Sequence, residues 1–274
     1  MVALQALSVG HAADLAAVAS GNVHSVYAHA VNLVVDGELW TITSARRPDL
    51  PFGIRVAHDS FDAIALRRGD RVSVRAGFVG IGTAAVIDCR TVPRWTPAAH
   101  GAPAPGLQER LGVVSQAARG HAWDASARMA DEMVDAVCRR RPMGATVRGV
   151  IGRGAGATPA GDDVLVGIFA VLASPHAGPA GAVAAGELWR AMSPLLKGTT
   201  ELSAHLLGQA ARGLLARPLH ELVGALCSAA GPVPLDALAR RVVDAGATSG
   251  ADTCMGVIAA ARAFLLETTE RAAA

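Results

Sequence analysis

The 274-residue chain is 51% hydrophobic and 18% charged, with a formal net charge of +2, a composition that buries a core and excludes a disordered polymer. Aromatic residues make up 4% of it and Lys197 is its only lysine, so neither a basic groove nor a stacking platform for nucleic acid is expected. The longest uncharged apolar run, residues 164–175, is shorter than the roughly 18 residues that span a bilayer, and Cys89, Cys138, Cys227 and Cys254 form no CxxC pair. The expectation is a soluble cytoplasmic protein with no membrane partner.

Along the chain, MVALQALSVGHAADLAAVASG is read as an alanine-rich first helix; a signal peptide would need a basic n-region, and His11 and Asp14 interrupt the apolar stretch. In AVNLVVDGELWTITS, two β-rich runs flank Asp36-Gly37, the pattern of a two-residue hairpin. RVSVRAGFVGIGTAAVIDC is a second β-rich region in which Gly77, Gly80 and Gly82 mark turns or bulges. Just before it, Arg68-Gly69-Asp70 is read as a turn rather than an adhesion signal. PRWTPAAHGAPAPG, residues 93–106, lacks periodicity and marks a domain boundary. Beyond it LQERLGVVSQAA and ASARMADEMVDAVCRRR are helical, the second capped by Asp124 and closed by Arg139 to Arg141 complementing its dipole. Further helices are expected near 182–195, 201–216, 218–229, 235–244 and 250–267. The fold class is α+β: a β-rich N-terminal domain, 1–95, and a mainly α-helical C-terminal domain, 107–274.

The C-terminal part carries three similar helix starts. GATPAGDDVLVGIFA and GATSGADTCMGVIAA share Gly-Ala-Thr, an aspartate four residues after the threonine (Asp162, Asp252) and an interior glycine (Gly167, Gly256). GTTELSAHLLGQAARG repeats the glycine-threonine opening, with Gly208 and Gly213 in its helical run. Thr158, Thr199 or Thr200, and Ser249 are the expected caps. A helix start offers unpaired N–H groups and about half a positive charge to an anion, preceding glycines let the ligand approach, and interior glycines imply close packing. The three starts are therefore expected to converge on one anion site. A P-loop is excluded because no lysine follows the glycines. A dinucleotide fingerprint at Gly152, Gly154 and Ala157, after a strand-like RGVIG, lacks its later acidic residue. Asp162 and Asp163, in a first turn, either complement the dipole or act chemically, one as a base or as a ligand for Mg²⁺ carrying a phosphate. Two carboxylates beside an anion would repel it, a conflict that a cation or Arg153 would resolve.

GRGAGATPAGDDVLVG, GTTELSAHLLGQAARG and GATSGADTCMGV, with the N-terminal VHSVYAHAVNLVVDGELWTIT, resemble the successive blocks of a bacterial family long catalogued as domain of unknown function number 2877. One member of that family is a subunit of oxamate carbamoyltransferase from allantoin degradation. The sequence departs from the family pattern at Ala157 and Ala160, where leucine and serine are usual. The resemblance implies interconversion of oxalurate plus phosphate with oxamate plus carbamoyl phosphate, in an enzyme with partner subunits resembling acyl-CoA synthetases.

On this reading the chain is a carbamoyltransferase or a subunit of one. Arg153, Gly154, Gly156, Thr158, Lys197, Thr199, Thr200, Ser203, Ser249 and Gly250 hold a small anionic substrate and phosphate or carbamoyl phosphate. Asp162, Asp163 and Asp252 orient substrate or bind Mg²⁺, and His205 is a candidate base. His24 and Asn32 of the β-rich domain are candidates to close over the site. The alternatives are a Mg²⁺-dependent kinase or ligase using ATP on a small carboxylate, and a non-catalytic scaffold subunit that completes a partner's site.

Overall fold

The computed structural model describes residues 1–139, 142–228 and 234–266, which form two compact units, Met1–Pro97 and Ala98–Ala274.

The first unit is a barrel. Strands β1 (Val2–Gly10), β2 (Ala19–Tyr27), β3 (Ala30–Val35), β4 (Glu38–Thr43), β5 (Gly53–Val56), β6 (Arg71–Arg75), β7 (Phe78–Ile81) and β8 (Ala85–Asp88) run in the order β5-β4-β3-β2-β6-β7-β8-β1, and pairing of β1 with β5 closes the ring. The short β9 (Arg94–Trp95) pairs with β1. Closure removes the exposed edges that an open sheet would carry. Asp36 and Gly37 both take positive φ, 47° and 84°, between Val35 and Glu38, so the expected hairpin is present with the mirror-image turn that suits strand twist. Ala76-Gly77 turns β6 into β7 in the same way.

The expected first helix is instead strand β1. Buried Leu4 and Ala6 alternate with more exposed Ala3, Gln5 and Leu7, the period of a pleated strand, and the ring needs it between β8 and β5. Alanine content misled here because pairing outweighs propensity.

The second unit is helical: α1 (Leu107–Ala118), α2 (Ser126–Cys138), α3 (Met143–Val150), α4 (Ala160–Leu172), α5 (Gly178–Met192), α6 (Glu201–Ala211), α7 (Arg217–Cys227), α8 (Leu235–Val243) and α9 (Ser249–Phe264). Its core centres on α4, buried almost throughout, packed against α9. The strand-like RGVIG belongs to the end of α3, which removes the strand that a dinucleotide fingerprint needs. Asp124 caps nothing, since α2 begins at Ser126 behind Ala125. Arg139 pairs with Asp135 one turn back; Arg140 and Arg141, like residues 229 and 267 of the expected helices, lie outside the described residues. No single described helix is long and apolar enough to cross a membrane.

Two interior glycines explain how closely α4 and α9 lie. A Cβ on Gly167 would stand 2.1 Å from the Thr253 carbonyl oxygen, and one on Gly256 2.0 Å from that of Val164; each helix needs the other's glycine. Gly208 in α6 is different, with Trp189 at an ordinary 3.7 Å, and Gly213 lies beyond α6 at a φ of 73°, ending the helix rather than packing inside it.

Candidate functional site

The three glycine-threonine starts meet. Asp162, in the first turn of α4 and only 1% exposed, accepts the Gly152 N–H at 2.8 Å through Oδ1. Through Oδ2 it accepts the Ser203 hydroxyl at 2.7 Å and that of Thr199. One carboxylate thus ties the glycine loop, the start of α4 and the start of α6 together, and three donors meet its charge. Thr200 adds a second tie: it caps α6 by accepting the Ser203 N–H at 3.0 Å and donates to the Ala157 carbonyl at 2.6 Å.

The start of α9 joins through hydroxyls. Thr158 Oγ1 and Ser249 Oγ lie 2.8 Å apart, half-buried, and both act on the neighbouring carboxyl of Asp163. Neither caps its own helix: the first N–H groups of α4 and α9 are taken by backbone, Gly161 by the Arg153 carbonyl and Gly250 by that of Ala245, so these hydroxyls turn to each other. Asp252, fully buried, accepts the Trp123 N–H at 2.7 Å and the Ser126 hydroxyl at 2.6 Å on Oδ1. Ser126 was invisible in the sequence, because nothing in DASARMA announces a partner 126 residues away.

Electrostatics separate the three aspartates. Burial pushes the Asp163 carboxyl up to about 8, and the charges of Asp252 and Asp162 push the same way against the hydrogen bonds from Ser249 and Thr158. Asp163 is therefore largely protonated at neutral pH. Its Oδ2 and that of Asp252 are buried without a hydrogen-bond partner.

Above these groups runs the loop 152–158. Gly152, Gly154 and Gly156 hold φ values of 69°, 112° and 98°, conformations open to glycine at little cost. Gly152 passes so near the Gly198 carbonyl oxygen that a Cβ would stand 2.2 Å from it. Residues 153–157 are exposed. A family model described as oxamate carbamoyltransferase subunit AllH matches residues 150–261, and the AllH family N-terminal domain matches residues 5–94. The chain belongs to the AllH family. No curated protein and no solved structure matches it.

The AllH match begins at Val150 and takes in the whole glycine loop and all three starts. Of the other residues named from sequence, Lys197 and Arg153 are exposed at the rim, Arg153 donating to the Gly149 carbonyl at 3.2 Å. His205 is partly buried one turn into α6, and Gly250 is buried where a Cβ would stand 1.7 Å from the Val242 carbonyl oxygen. Gly250 is therefore a packing glycine. His24 and Asn32 belong to the AllH N-terminal barrel. Asn32 is buried, donating to Ser25 at 3.0 Å and accepting from Thr41 at 2.9 Å, so it stitches β2, β3 and β4; His24 contacts the same Ser25 hydroxyl at 3.0 Å.

The aspartates do not fit Mg²⁺. That ion asks for near-octahedral oxygen donors and several waters, whereas Asp162 spends both oxygens on protein donors and Asp163 holds a proton. Among the described residues no group of three His, Cys, Asp or Glu side chains could hold a metal ion. The adjacent carboxylates are not equivalent: Asp162 has its charge met by three donors, whereas burial favours the protonated form of Asp163.

Proposed function

We propose that this chain is a carbamoyl-transferring subunit that holds phosphate or carbamoyl phosphate on the exposed glycine loop and the helix starts beneath it, with oxamate as the acceptor. The observation that carries the reading is the tie at Asp162, which fixes the Gly152 loop against α6 through three donors, in a family described as an oxamate carbamoyltransferase subunit. In this reading the N–H groups of Gly154 to Thr158 hold the anion's oxygens, as glycine loops do for phosphates. The same N–H groups stabilise charge developing on the carbamoyl oxygen. Arg153 and Lys197 supply positive charge from the rim, Thr158 and Ser249 offer hydroxyls from below, and His205 lies within the same helix start. Thr199, Thr200 and Ser203 serve indirectly, holding the loop in shape. The loop, rather than the N-terminus of α4, takes the anion, because the α4 N–H groups of Gly161, Asp162 and Asp163 are already bonded to backbone carbonyls. Acyl-CoA-synthetase-like subunits would complete the enzyme.

The kinase or ligase reading needs the aspartates for Mg²⁺, but Asp162 has both oxygens on protein donors and burial keeps Asp163 protonated. The scaffold reading draws support from the sealing of Asp162, Asp163 and Asp252 in the core. Phosphate release from carbamoyl phosphate and oxamate, followed with the chain alone and with its partner subunits, tests both. Carbamoyl transfer expects Arg153→Ala, which removes a cation from the rim, and Gly156→Ala, which strains the loop at a φ of 98°, each to raise the KM for carbamoyl phosphate about tenfold. A complex whose turnover and KM ignore both substitutions supports the scaffold instead.

A further inference from the structure

Asp163 and Asp252 present an unusual pair of facts together. Each buries one carboxylate oxygen with no hydrogen-bond partner, at 8% and 0% exposure, and the charge of Asp252 acts on Asp163. Two neighbouring buried carboxylates cannot both stay ionised at tolerable cost, whereas one proton turns an orphan acceptor into a donor. Asp252 is locked by Ser126 and the Trp123 N–H from the start of α2, so Asp163 is the member free to exchange. The charged groups acting on it are Asp252 on α9 and Asp162 on its own helix, and the hydroxyls of Ser249 and Thr158 act on it in the opposite sense. Those hydroxyls, 2.8 Å apart and half-buried, lead from the carboxyl toward the exposed glycine loop. A hydroxyl both donates and accepts, so it can pass a proton without holding a charge.

We propose that Asp163 and Asp252 store one proton beneath the site and that Asp163 delivers it, through the Ser249 and Thr158 hydroxyls, to the amide nitrogen that leaves in carbamoyl transfer. The proposal rests on the carbamoyl-transfer reading above. When phosphate is the acceptor, one of its oxygens bonds to the carbamoyl carbon and the carbon–nitrogen bond breaks, its electron pair remaining on nitrogen. That nitrogen takes the hydroxyl proton as Asp163 replaces it, and the proton lost by the attacking hydrogen phosphate returns to Asp163. In the reverse direction the carbon–oxygen bond to phosphate breaks and the departing phosphate takes the Asp163 proton; the carboxylate left behind draws its replacement, through the hydroxyls, from the oxamate amide as that nitrogen bonds to the carbamoyl carbon. No metal, oxidant or reductant enters the balance. Asp163 acts through hydroxyls and Asp252 through Asp163, which makes both positioning residues for the proton.

The test compares the assembled enzyme carrying wild-type chain, Asp163→Asn, Asp252→Asn or Ser249→Ala. Asparagine keeps shape and hydrogen bonds but has no acidic proton. Asp163→Asn is expected to leave the KM for phosphate within about twofold and to lower kcat roughly a hundredfold or more, the usual worth of a positioned acid. In the wild type, kcat toward carbamoyl phosphate falls as pH rises through about 8, and Asp163→Asn flattens that profile. A kcat within threefold of wild type in Asp163→Asn, or a lowered kcat with an unchanged pH profile, overturns the relay. Infrared difference spectra judge the store separately: a protonated carboxylic-acid band at pH 7, lost in Asp163→Asn and shifted in Asp252→Asn, supports it, and no such band in the wild type overturns it. If the wild-type complex transfers no carbamoyl group at all, the functional reading and the relay fall together, while the infrared result still decides whether the proton is there.

Discussion

Asp163 costs the fold stability that a plain structural residue would not. Its carboxyl is held up to about 8, whereas in the unfolded chain it titrates near 4. Below about pH 4 both states are protonated and the group contributes nothing. Between about 4 and 8 the unfolded chain releases a proton that the fold retains, so the penalty grows with pH and is complete above about 8. Asp163→Asn is therefore expected to stabilise the protein at pH 8 by roughly 1–3 kcal/mol, the cost of an unmet buried polar group, and by nothing near pH 4. Thermal melts at the two pH values check this; a variant equally destabilised at both would mean that Asp163 is merely a packing residue. Adjacent Asp162 differs in its contacts: its carboxylate receives three donors. The sequence marks both as GDD and separates them in no way: which carboxyl is satisfied depends on residues 10 to 41 positions away.

At the scale of elements, the legible features were local and the illegible ones came from pairing. The Asp36-Gly37 hairpin, the Thr200 cap and the helical C-terminal half follow from short-range chemistry and are present. Strand β1 and helix α3 were misread because their state is set by neighbours, and Thr158 and Ser249 left their caps because backbone carbonyls fill that role. Interior glycines were legible only in part. Gly167 and Gly256 sit where a Cβ would strike the facing carbonyl at 2.1 and 2.0 Å, whereas Gly208 has 3.7 Å to Trp189. Gly167→Ala and Gly256→Ala are thus expected to lose about 1–3 kcal/mol or more through overpacking. Gly208→Ala should gain up to about 1 kcal/mol from helix propensity. Chemical denaturation of the three variants checks the contrast, and equal losses would show that glycine in these helices serves something other than close approach.

At the scale of the whole molecule, two units with separate cores are joined through residues just after Pro97, and a histidine cluster fastens the beginning of that second unit. His100 stacks on His176 with ring centroids 5.5 Å apart and lies 4.5 Å from His220. His220 reaches the Ala98 carbonyl at 2.7 Å, and Ala104 donates to the Cys227 carbonyl at 2.8 Å. Burial pushes His100 down to about 4, and the neighbouring imidazoles His220 and His176 reinforce the shift; burial lowers His176 as well. Both keep a buried Nε2 without a partner, so these two rings are tolerated neutral and resist a charge. Since the unfolded chain protonates His100 near pH 6.5 and the fold refuses that proton until about 4, the stability contributed by a neutral His100 is intact above about pH 6.5. It is lost progressively as pH falls toward 4. Calorimetry from pH 7.5 to 4.5 should show the melting temperature of the helical unit falling with acidification. His100→Gln, which removes the titrating ring and the repulsion it would suffer, should flatten that slope whatever its effect at pH 7.5. A slope unchanged in His100→Gln would place the acid sensitivity elsewhere, in groups that the stacked rings do not govern.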